Sequence, residues 1–476
     1  MNGAGVAPGW RVGVSPAFDP RTSPRLEVMM RELRPLAERF AAAGHRLYLV
    51  GGSVRDLVIG DDRPEVDLDA TTTAHPSEIK RLLHGWADAI WTQGERFGTI
   101  GAMKRAGEPP AERIFEITTH RAEAYRGDSR KPDVAFSDDV EADLSRRDFT
   151  VNAMAIELTS PTPRLVDPFG GAADLAAKVL RTPLAPSESF ADDPLRMLRA
   201  ARFVTRYDLV PVPALVQAVR EMGGRVEIVS AERIRDELDK LVVTPSPSTG
   251  WSFVLDTGLA DHVVPEVAAV ARAAAVGATP GHRVVAEVPA SCRLARWAAV
   301  FSGVPSAAVA SRLRALRAST ADVDMITLLV DVHQRWFIEP AADAGWTDGE
   351  VRRLVLAASP RHHQLLDELL ALAEATARAG DDDARRARLS TLRERVAHLA
   401  SREDLGSLRP ELSGAEVMRA LGVGPGRDVG AALAFLLDLR LEEGLVGAAA
   451  ATRRLSDWWT TTRAADVASA DISIDT

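Results

Sequence analysis

Cysteine is almost absent from this chain: Cys292 is the only one among 476 residues. A disulfide framework and a cysteine-ligated zinc cluster are therefore excluded. Long apolar runs are lacking as well, because no segment approaches the ~18 residues that a membrane span requires. Residues 1–10 have neither the basic start nor the apolar core of a secretory signal. These absences predict a reducing, cytoplasmic setting and no membrane partner.

Lysine is also scarce, so arginine supplies nearly every positive side chain. With 58 basic and 67 acidic residues the net charge is −9, which argues against a protein that coats DNA but leaves room for a local RNA-binding surface. One arginine-rich stretch, between Glu287 and Asp322, contains no acidic residue. It is a candidate contact to an RNA backbone, although a solvated helical face explains it equally well. Its arginines are Arg293, Arg296, Arg312, Arg314 and Arg317.

The composition, 46% hydrophobic and 26% charged, is that of a folded protein. A first helix is predicted over 34–43, with Pro35 near its start. Strand-like runs follow at 47–50, 113–118 and 152–158, alternating with helical runs up to about residue 180. From about residue 190 onward, apolar residues recur at helical spacing. This pattern predicts an α+β head followed by a mainly α-helical remainder.

A strand-like run leads into two glycines in LVGGSVRD at 49–56, and a helical stretch follows. Without Cβ atoms, Gly51 and Gly52 let the backbone approach a ligand, and the start of the helix offers unpaired N–H groups to a phosphate. Ser53 belongs to that first turn, and Arg55 adds a cation. Taken alone, two glycines more often mark a plain tight turn between a strand and a helix.

Two aspartates follow closely in EVDLD at 65–69. In a strand, residues two apart point to the same side, so Asp67 and Asp69 present both carboxylates on one face. A hard divalent cation such as Mg²⁺ removes their mutual repulsion and in turn binds nucleotide phosphates. Alone, such a pair is more often a solvated strand end, whereas beside a glycine turn it favours a metal site.

Glu116 is a candidate third carboxylate. Strand alternation places it on the opposite face from Phe115 and Ile117, away from the apolar layer. This position suits a metal ligand, or a base that takes a proton from an attacking hydroxyl. It suits an ordinary exposed glutamate equally well.

These motifs occur with others in an order that resembles the head of the bacterial class II tRNA nucleotidyltransferase and poly(A) polymerase family. The matching segments are GGSVRD at 51–56, DLD at 67–69, RRDFTVNAM at 146–154, DPFGG at 167–171, DDPLRMLRAARF at 192–203 and SAERIRDEL at 230–238. Together they span roughly residues 45–240, about half of the chain. A later segment, 412–440, is similar to the longer CCA-adding enzymes of high-GC bacteria.

The resemblance implies a nucleotidyltransferase head of the polymerase-β type with a small mixed sheet, followed by a mainly α-helical neck, body and tail. The expected parts are a flexible arm at 1–24, the head at 25–182, a neck with the base-reading motif at 183–250, the body at 251–380 and a tRNA-binding tail at 381–476. Long relatives often carry a His-Asp phosphohydrolase module after the neck. Because this chain has no His-Asp dipeptide, the body is expected to be a scaffold without that activity.

The resemblance also implies roles for single residues of the head. The triphosphate is held by Gly52 and Arg55, magnesium by Asp67 and Asp69, and the nucleotide by Arg147, with Asn152 in the same motif. The base is read by Asp193 and Arg196, followed by Arg199 and Arg202. Positions three apart spread these four over half a helix circumference, while Leu195 and Leu198 are free to pack.

An acidic residue and an arginine make chemical sense as a base reader. Asp193 only accepts and Arg196 only donates; cytosine and adenine present an amino donor beside an unprotonated ring nitrogen, whereas uracil and guanine present the reverse. Leaving a charged group unpaired costs about 1–3 kcal/mol or more, so this pair accepts CTP and ATP and rejects UTP and GTP. The family usually has Glu where this chain has Asp192, so the bond that orients the pair is the point to check.

The expected activity is template-independent addition of C, C and A to the 3′ end of tRNA from CTP and ATP, with Mg²⁺ as cofactor and pyrophosphate released. Poly(A) addition and partial A-only or CC-only addition stay open, because such enzymes share the head. The segment 121–136 resembles the family's flexible loop, needed for the final A, which disfavours a CC-only enzyme. A non-catalytic RNA-binding protein is the alternative of another class, and Asp67, Asp69 and Arg147 argue against it.

Overall fold

The structure is a computed structural model that describes residues 18–61, 67–106, 111–123, 134–273, 281–338, 346–358 and 365–472. The chain divides into two compact units: unit 1 is residues 1–237 with 249–263, and unit 2 is 238–248 with 264–476. The finer division into arm, head, neck, body and tail stays a prediction. Most of the predicted arm and the centre of the loop at 121–136 lie outside the described residues.

The described residues form eleven strands. They are β1 (Leu47–Val50), β2 (Asp67–Thr72), β3 (Ala89–Trp91), β4 (Thr99–Ala106), β5 (Ala111–Thr119), β6 (Arg121–Glu123), β7 (Val134–Phe136), β8 (Ala155–Glu157), β9 (Arg164–Val166), β10 (Val179–Leu180) and β11 (Val210–Pro211).

The same residues form twenty-two α-helices, most of them after residue 185. They are α1 (Pro24–Ala42), α2 (Gly52–Ile59), α3 (Pro76–Leu83), α4 (Val140–Ser145), α5 (Gly171–Ala176), α6 (Pro186–Asp192), α7 (Arg196–Arg206), α8 (Pro213–Met222), α9 (Ala231–Val242), α10 (Ser248–Asp256), α11 (Ala260–Val263), α12 (Pro265–Ala273), α13 (Gly281–Glu287), α14 (Arg293–Val300), α15 (Ser306–Ala315), α16 (Thr320–His333), α17 (Asp348–Ala358), α18 (Leu365–Ala379), α19 (Asp383–Ala400), α20 (Gly414–Leu421), α21 (Arg427–Glu443) and α22 (Ala448–Ile472).

Seven strands of unit 1 form one mixed sheet in the order β3-β4-β5-β2-β1-β8-β9. The β2–β5 pair is parallel and the other neighbours are antiparallel. The predicted α+β head with a mixed sheet, followed by a helical remainder, is confirmed.

One face of the sheet is packed and the other is open at β2 and β5. Leu68 and Ala70 of β2 are buried, as are Phe115 and Ile117 of β5, and Trp86 packs edge-on against Phe115 with ring centroids 5.2 Å apart. The alternate residues of these strands point the other way, and Glu116 among them is exposed. The sheet therefore presents polar side chains on a face that helices leave uncovered at this point.

Two local predictions were wrong. Helix α1 begins at Pro24, capped by the Ser23 hydroxyl, and Pro35 lies inside it. The apolar stripe continues through this proline, from Leu26 to Phe40, so burial outweighs the missing backbone hydrogen bond. Of the strand predicted at 152–158, only β8 forms. Asn152 instead ends a 3₁₀ turn, and its side chain accepts a hydrogen bond from Arg55.

The helices of unit 2 enclose a buried charge cluster. Glu403 lies 2.9 Å from Nε of Arg352 on α17 and 2.5 Å from Nη1 of Arg440 on α21, and all three side chains are at most 7% exposed. A separate apolar cluster joins α20, α21 and α22 through Val417, Leu436 and Leu455. Across the described ranges, no helix combines the length and apolar character that a membrane crossing requires.

Removing the acidic centre of this cluster should be strongly destabilising. Glu403→Ala leaves two buried guanidinium groups uncompensated, and we expect the free energy of unfolding to fall by about 3–5 kcal/mol in urea titrations. Glu443→Ala is the matched control, because the ion pair of Glu443 with Arg454 is exposed and should contribute less than about 1 kcal/mol. An equal fall in the free energy of unfolding in the two variants would show that the buried cluster stabilises the fold no more than an exposed ion pair does.

Candidate nucleotide and metal site

The two glycines form the predicted turn between a strand and a helix. Strand β1 ends at Val50, Gly51 has φ +72°, and α2 begins at Gly52. A Cβ on Gly51 would lie 3.0 Å from Nη1 of Arg147 and 3.5 Å from Oδ2 of Asp69. Glycine is therefore favoured here by the backbone angle, and a side chain would also press on the guanidinium of Arg147. The turn brings the start of α2, an arginine and an aspartate to one place.

The two aspartates and Glu116 share the open face of the sheet. Asp67 and Asp69 are exposed, while Leu68 between them is buried. The parallel pairing of β2 with β5 sets Asp69 directly beside Glu116. The predicted orientation of these three side chains agrees with this register. Among the described residues, no three acidic or histidine side chains form a ready-made metal cage, so any cation held here takes its further ligands from elsewhere.

Two carboxyls on this face, those of Asp69 and Glu116, have raised pKa values and are harder to ionise than free ones. Surrounding protein raises the pKa of Asp69, and the Asp67 carboxylate adds to the effect, although Arg147 opposes it. Desolvation and then the charges of Asp69 and Asp67 raise the pKa of Glu116. Carboxylates that repel each other in this way are stabilised by a cation placed between them.

The guanidinium of Arg147 has an unused hydrogen-bond donor beside the glycine turn. Its Nη2 lies 3.3 Å from Oδ2 of Asp143. Its Nε is buried and has no hydrogen-bond partner among the described residues. An unpaired buried donor is costly, and an anionic group bound at the turn would satisfy it.

Arg55 lies behind the turn, in a buried position. Its Nη1 donates to Oδ1 of Asn152 at 2.7 Å, its Nε donates to Asp56 at 2.8 Å, and its guanidinium sits 4.2 Å from the ring centre of Tyr207. With 7% of its surface exposed, Arg55 links the glycine turn to the motif at 146–154.

A continuous chain of buried and half-buried polar groups extends from Asn152. Its Nδ2 donates to Oδ1 of Asp148, whose other oxygen accepts from Nε of Arg199, both at 2.9 Å. Arg199 also lies 3.9 Å from Glu237, which accepts from Nε of Arg202 at 2.9 Å. Burial alone would raise the pKa of Asp148, but Arg199 and Asn152 hold it below the usual value. Arg199 is thus held between Asp148 and Glu237, and Arg202 is held by Glu237.

The predicted base-reading pair is held by several neighbours. Arg196 donates to Oγ of Ser189 at 2.8 Å, to Oδ2 of Asp192 at 3.1 Å and to the carbonyl oxygen of Arg146. Asp192 therefore makes the orienting bond although it is shorter than the glutamate of the family. Asp193 accepts from Nη2 of Arg233 at 2.9 Å.

Asp193 is not on the helix that carries the three arginines. Helix α7 begins at Arg196, and Asp193 has an extended backbone with φ −138°. Pro194 disfavours a helical residue before it, and Oδ1 of Asp193 accepts the backbone N–H of Leu195 at 3.1 Å. The even three-residue spacing predicted for the four charged residues therefore holds only from Arg196 onward. Leu195 and Leu198 are buried as predicted.

These groups border one cavity of about 270 Å³. Its lining residues are Gly51, Gly52, Asp69, Arg147, Asp148, Asn152, Asp193, Arg196 and Arg199. Seven of the ten predicted nucleotide-binding residues are thus brought together, whereas Ser53, Arg55 and Arg202 do not line the cavity. The sequence motifs did not assign a role to five residues of this region: Asp148, Ser189, Tyr207, Arg233 and Glu237. Three of them, Asp148, Arg233 and Glu237, lie within the matching segments at 146–154 and 230–238.

The arginine-rich stretch of unit 2 is not one free cationic face. Arg296 is 2% exposed and donates to the carbonyl oxygens of Val242, Thr244 and Val288; burial lowers its pKa. Its assignment to an RNA surface was wrong, since its guanidinium is buried and bound to backbone carbonyl oxygens, two of them more than fifty residues away in sequence.

The neighbouring arginines of this stretch differ among themselves. Arg293 is paired with Asp239 and Asp322, and Arg312 with Glu266. Arg314 and Arg317 are exposed, and the RNA contact predicted for these four arginines stays a proposal.

Comparisons with known proteins agree with this architecture. Residues 47–181 match the family described as "Poly A polymerase head domain", and residues 212–270 match "Probable RNA and SrmB- binding site of polymerase A". A CCA-adding enzyme of Lactobacillus helveticus is 38% identical over 230 residues, which are 48% of this chain and 54% of the relative. One of Streptococcus suis is 36% identical over 228 residues, 48% of this chain and 53% of the relative. The chain thus spans about half the length of these curated relatives, and none of them points to high-GC bacteria specifically.

Solved structures extend the likeness to nearly the whole fold. The CCA-adding enzyme of Bacillus stearothermophilus in complex with CTP aligns with a TM-score of 0.68 and 23% identity, over 91% of this chain and 98% of that one. The Thermotoga maritima enzyme complexed with tRNA aligns with a TM-score of 0.61 and 19% identity, over 92% and 97%. At these identities the comparison establishes a common fold.

Proposed function

We propose that this chain, whose residues 47–181 match the family described as "Poly A polymerase head domain", adds C, C and A to the 3′ end of tRNA, using CTP and ATP and releasing pyrophosphate. The observation that carries the proposal is the single cavity that unites the glycine turn, Asp69, Arg147 and the pair Asp193 and Arg196. A phosphate-binding turn, an acidic face and a base reader are the three parts that a nucleotidyl transfer requires. With tRNA as substrate, we place the reaction in the cytoplasm.

The acidic face fits a divalent cation, and we propose Mg²⁺. Asp67 and Asp69 supply the hard oxygen ligands that Mg²⁺ prefers, and this ion commonly takes one or two carboxylates together with substrate phosphates. This mode of coordination suits a face whose described residues do not form a complete set of metal ligands. When bound, the ion supplies charge stabilisation at the phosphorus that is attacked. Glu116, with its raised pKa, lies beside Asp69 and is placed to support a ligand or to accept a proton.

The chain's own residues position the nucleotide. The first N–H groups of α2 and the guanidinium of Arg147, with its unsatisfied Nε, hold the triphosphate beside Gly51. Arg55 and Asn152 fix the relative placement of the turn and the motif at 146–154 from behind. Arg199 borders the cavity and is held rigidly by Asp148. Preorganisation of this kind lowers the entropy that binding must remove.

The base is selected by donors and acceptors at the other end of the cavity. Arg196 is oriented by Ser189 and Asp192, and Asp193 by the Leu195 N–H and Arg233. An acceptor beside a donor matches the pairing edges of cytosine and adenine. Poly(A) addition is the second candidate, because the matched head-domain family carries that name and the same pair would read ATP.

The test is incubation of the full chain with tRNA lacking its 3′-terminal CCA, with labelled CTP, ATP, UTP and GTP in Mg²⁺, followed by sequencing of the product ends. We expect CCA ends and no U or G. A homopolymer of A would establish poly(A) addition, and products that stop after CC or require a CC end would establish a partial enzyme. Absence of incorporation in Mg²⁺ or Mn²⁺ would overturn the proposal.

A further inference from the structure

A tryptophan lies in register with the acidic residues on the open face of the sheet. Strand pairing aligns Asp69 with Glu116, Glu116 with Gly101, and Gly101 with Trp91. Directly paired residues point to the same side of a sheet, so one row crosses β2, β5, β4 and β3. Trp91 is partly exposed, and it is the last member of this row.

The indole of Trp91 lies directly on Gly101. A Cβ built on Gly101 would be 1.9 Å from Nε1, 2.1 Å from Cε2 and 2.6 Å from Cδ1 of Trp91. Any side chain at position 101 would therefore displace the ring. Glycine within a strand weakens it and commonly marks a close approach of another group. The glycine thus lets the indole lie over β4, on the side of Glu116. Strand β5, which carries Glu116, is one strand spacing (~4.8 Å) from β4.

The cavity and the indole flank the carboxylates from opposite sides. The order β3-β4-β5-β2-β1 puts Gly51, Gly52 and the cavity on the β1 side of Asp69, and Trp91 on the β3 side of Glu116. In a nucleotidyl transfer the attacking and leaving oxygens lie roughly in line across the phosphorus. A triphosphate held on the β1 side therefore requires the attacking 3′-hydroxyl to approach from the β3 side, where the indole is.

We propose that Trp91 is a stacking platform for the base of the 3′-terminal nucleotide of the acceptor RNA. This proposal rests on the proposed function and adds to it the subsite of the acceptor strand. Stacking on an aromatic ring is sequence-tolerant because every base has a π-face. Such tolerance is what the subsite needs, since the terminal base of the acceptor changes as each nucleotide is added.

The test compares Trp91→Leu, which keeps apolar bulk without a π-face, with Trp91→Phe, which keeps the π-face. The readouts are the Kd of tRNA lacking its 3′-terminal CCA, measured without nucleotide, and the separate KM values for this tRNA and for CTP. Trp91→Leu should raise the Kd and KM for tRNA about 5- to 150-fold and leave the KM for CTP within about twofold. Trp91→Phe should retain most of the affinity. Gly101→Ala, which displaces the ring, should reproduce the loss with Trp91 still present.

Ile90→Ala is the matched control, because Ile90 is an exposed neighbour in the same strand that points to the opposite face; its Kd for tRNA should stay within about twofold. An unchanged Kd in a folded Trp91→Leu variant, with the parent chain incorporating normally, would overturn the subsite and leave the proposed function standing. Equal rises in KM for tRNA and CTP would also overturn it, by indicating a general distortion. If the parent chain incorporates nothing, the proposed function fails, and the Kd of each variant still decides whether Trp91 binds RNA.

Discussion

Asp69→Ala, and equally Asp67→Ala, should reduce nucleotide incorporation by about a thousandfold or more while the affinity for tRNA stays within a few-fold. The reason is that both carboxylates lie on the open face next to the cavity and are placed to hold a cation. A metal ion contributes several kcal/mol to stabilising such a transition state, and each 1.36 kcal/mol is a factor of ten in rate. Single-turnover incorporation in Mg²⁺ and a filter-binding Kd for tRNA measure the two effects separately.

Glu112→Ala provides the matched control for this loss. Glu112 is an exposed carboxylate of β5, on the same side of the strand as Glu116, and is paired with Arg105 at the far end of the strand. Its removal should leave turnover within about twofold. Turnover by either aspartate variant at the level of the Glu112→Ala variant would contradict the assignment of the metal site.

Arg196→Ala should damage nucleotide discrimination as well as rate. Removal of the guanidinium leaves the ring nitrogen of cytosine or adenine without its donor, which costs roughly 1–3 kcal/mol, or about 5- to 150-fold in kcat/KM for CTP. The same change removes the donor that opposes the ring N–H of uracil, so UTP should lose less or gain. The ratio of kcat/KM for CTP over UTP should therefore fall steeply, as measured with each nucleotide on the same tRNA.

The neighbours of Arg196 sharpen this experiment. Because Ser189 and Asp192 each lose one hydrogen bond in the variant, some loss of thermal stability is expected, and Tm must be measured beside the kinetics. Arg206→Ala, at the exposed end of the same helix, controls for loss of a positive charge from α7. A CTP/UTP ratio that stays constant in a folded Arg196→Ala protein would move base reading to other residues.

Local sequence patterns were sufficient for the parts of the site that depend on neighbouring residues. The turn at Gly51 and the placement of Asp69 and Glu116 opposite a buried layer follow from strand alternation and the special freedom of glycine. The resemblance to a known family supplied the residues that meet in the cavity from distant segments. Neither source indicated that Trp91 would lie in the row of Glu116, because strand register is a long-range property.

The wrong predictions have the same physical origin. Arg296 belongs to a charged stretch by its sequence neighbours, but its hydrogen-bond partners are carbonyl groups more than fifty residues away for Val242 and Thr244. Pro35 is an ordinary helix-start signal that was overridden by the apolar stripe of α1. Asp193 was placed on a helix by its spacing, whereas Pro194 and a side-chain cap keep it extended.

The hydrogen-bonded chain from Arg55 through Asn152, Asp148 and Arg199 to Glu237 and Arg202, of which Arg55, Asn152, Asp148 and Glu237 are buried, bears on how this site can change over evolutionary time. Each member satisfies the charge or hydrogen bonds of the next, so one substitution strands a buried partner and is penalised before any effect on substrate is felt. A reversal of charge at one of these residues requires a matching change at the residue that is paired with it. Diverging lineages are therefore expected to alter these six positions in pairs or to leave them alone, while exposed Arg233 drifts more freely and becomes the easier route to a changed nucleotide preference.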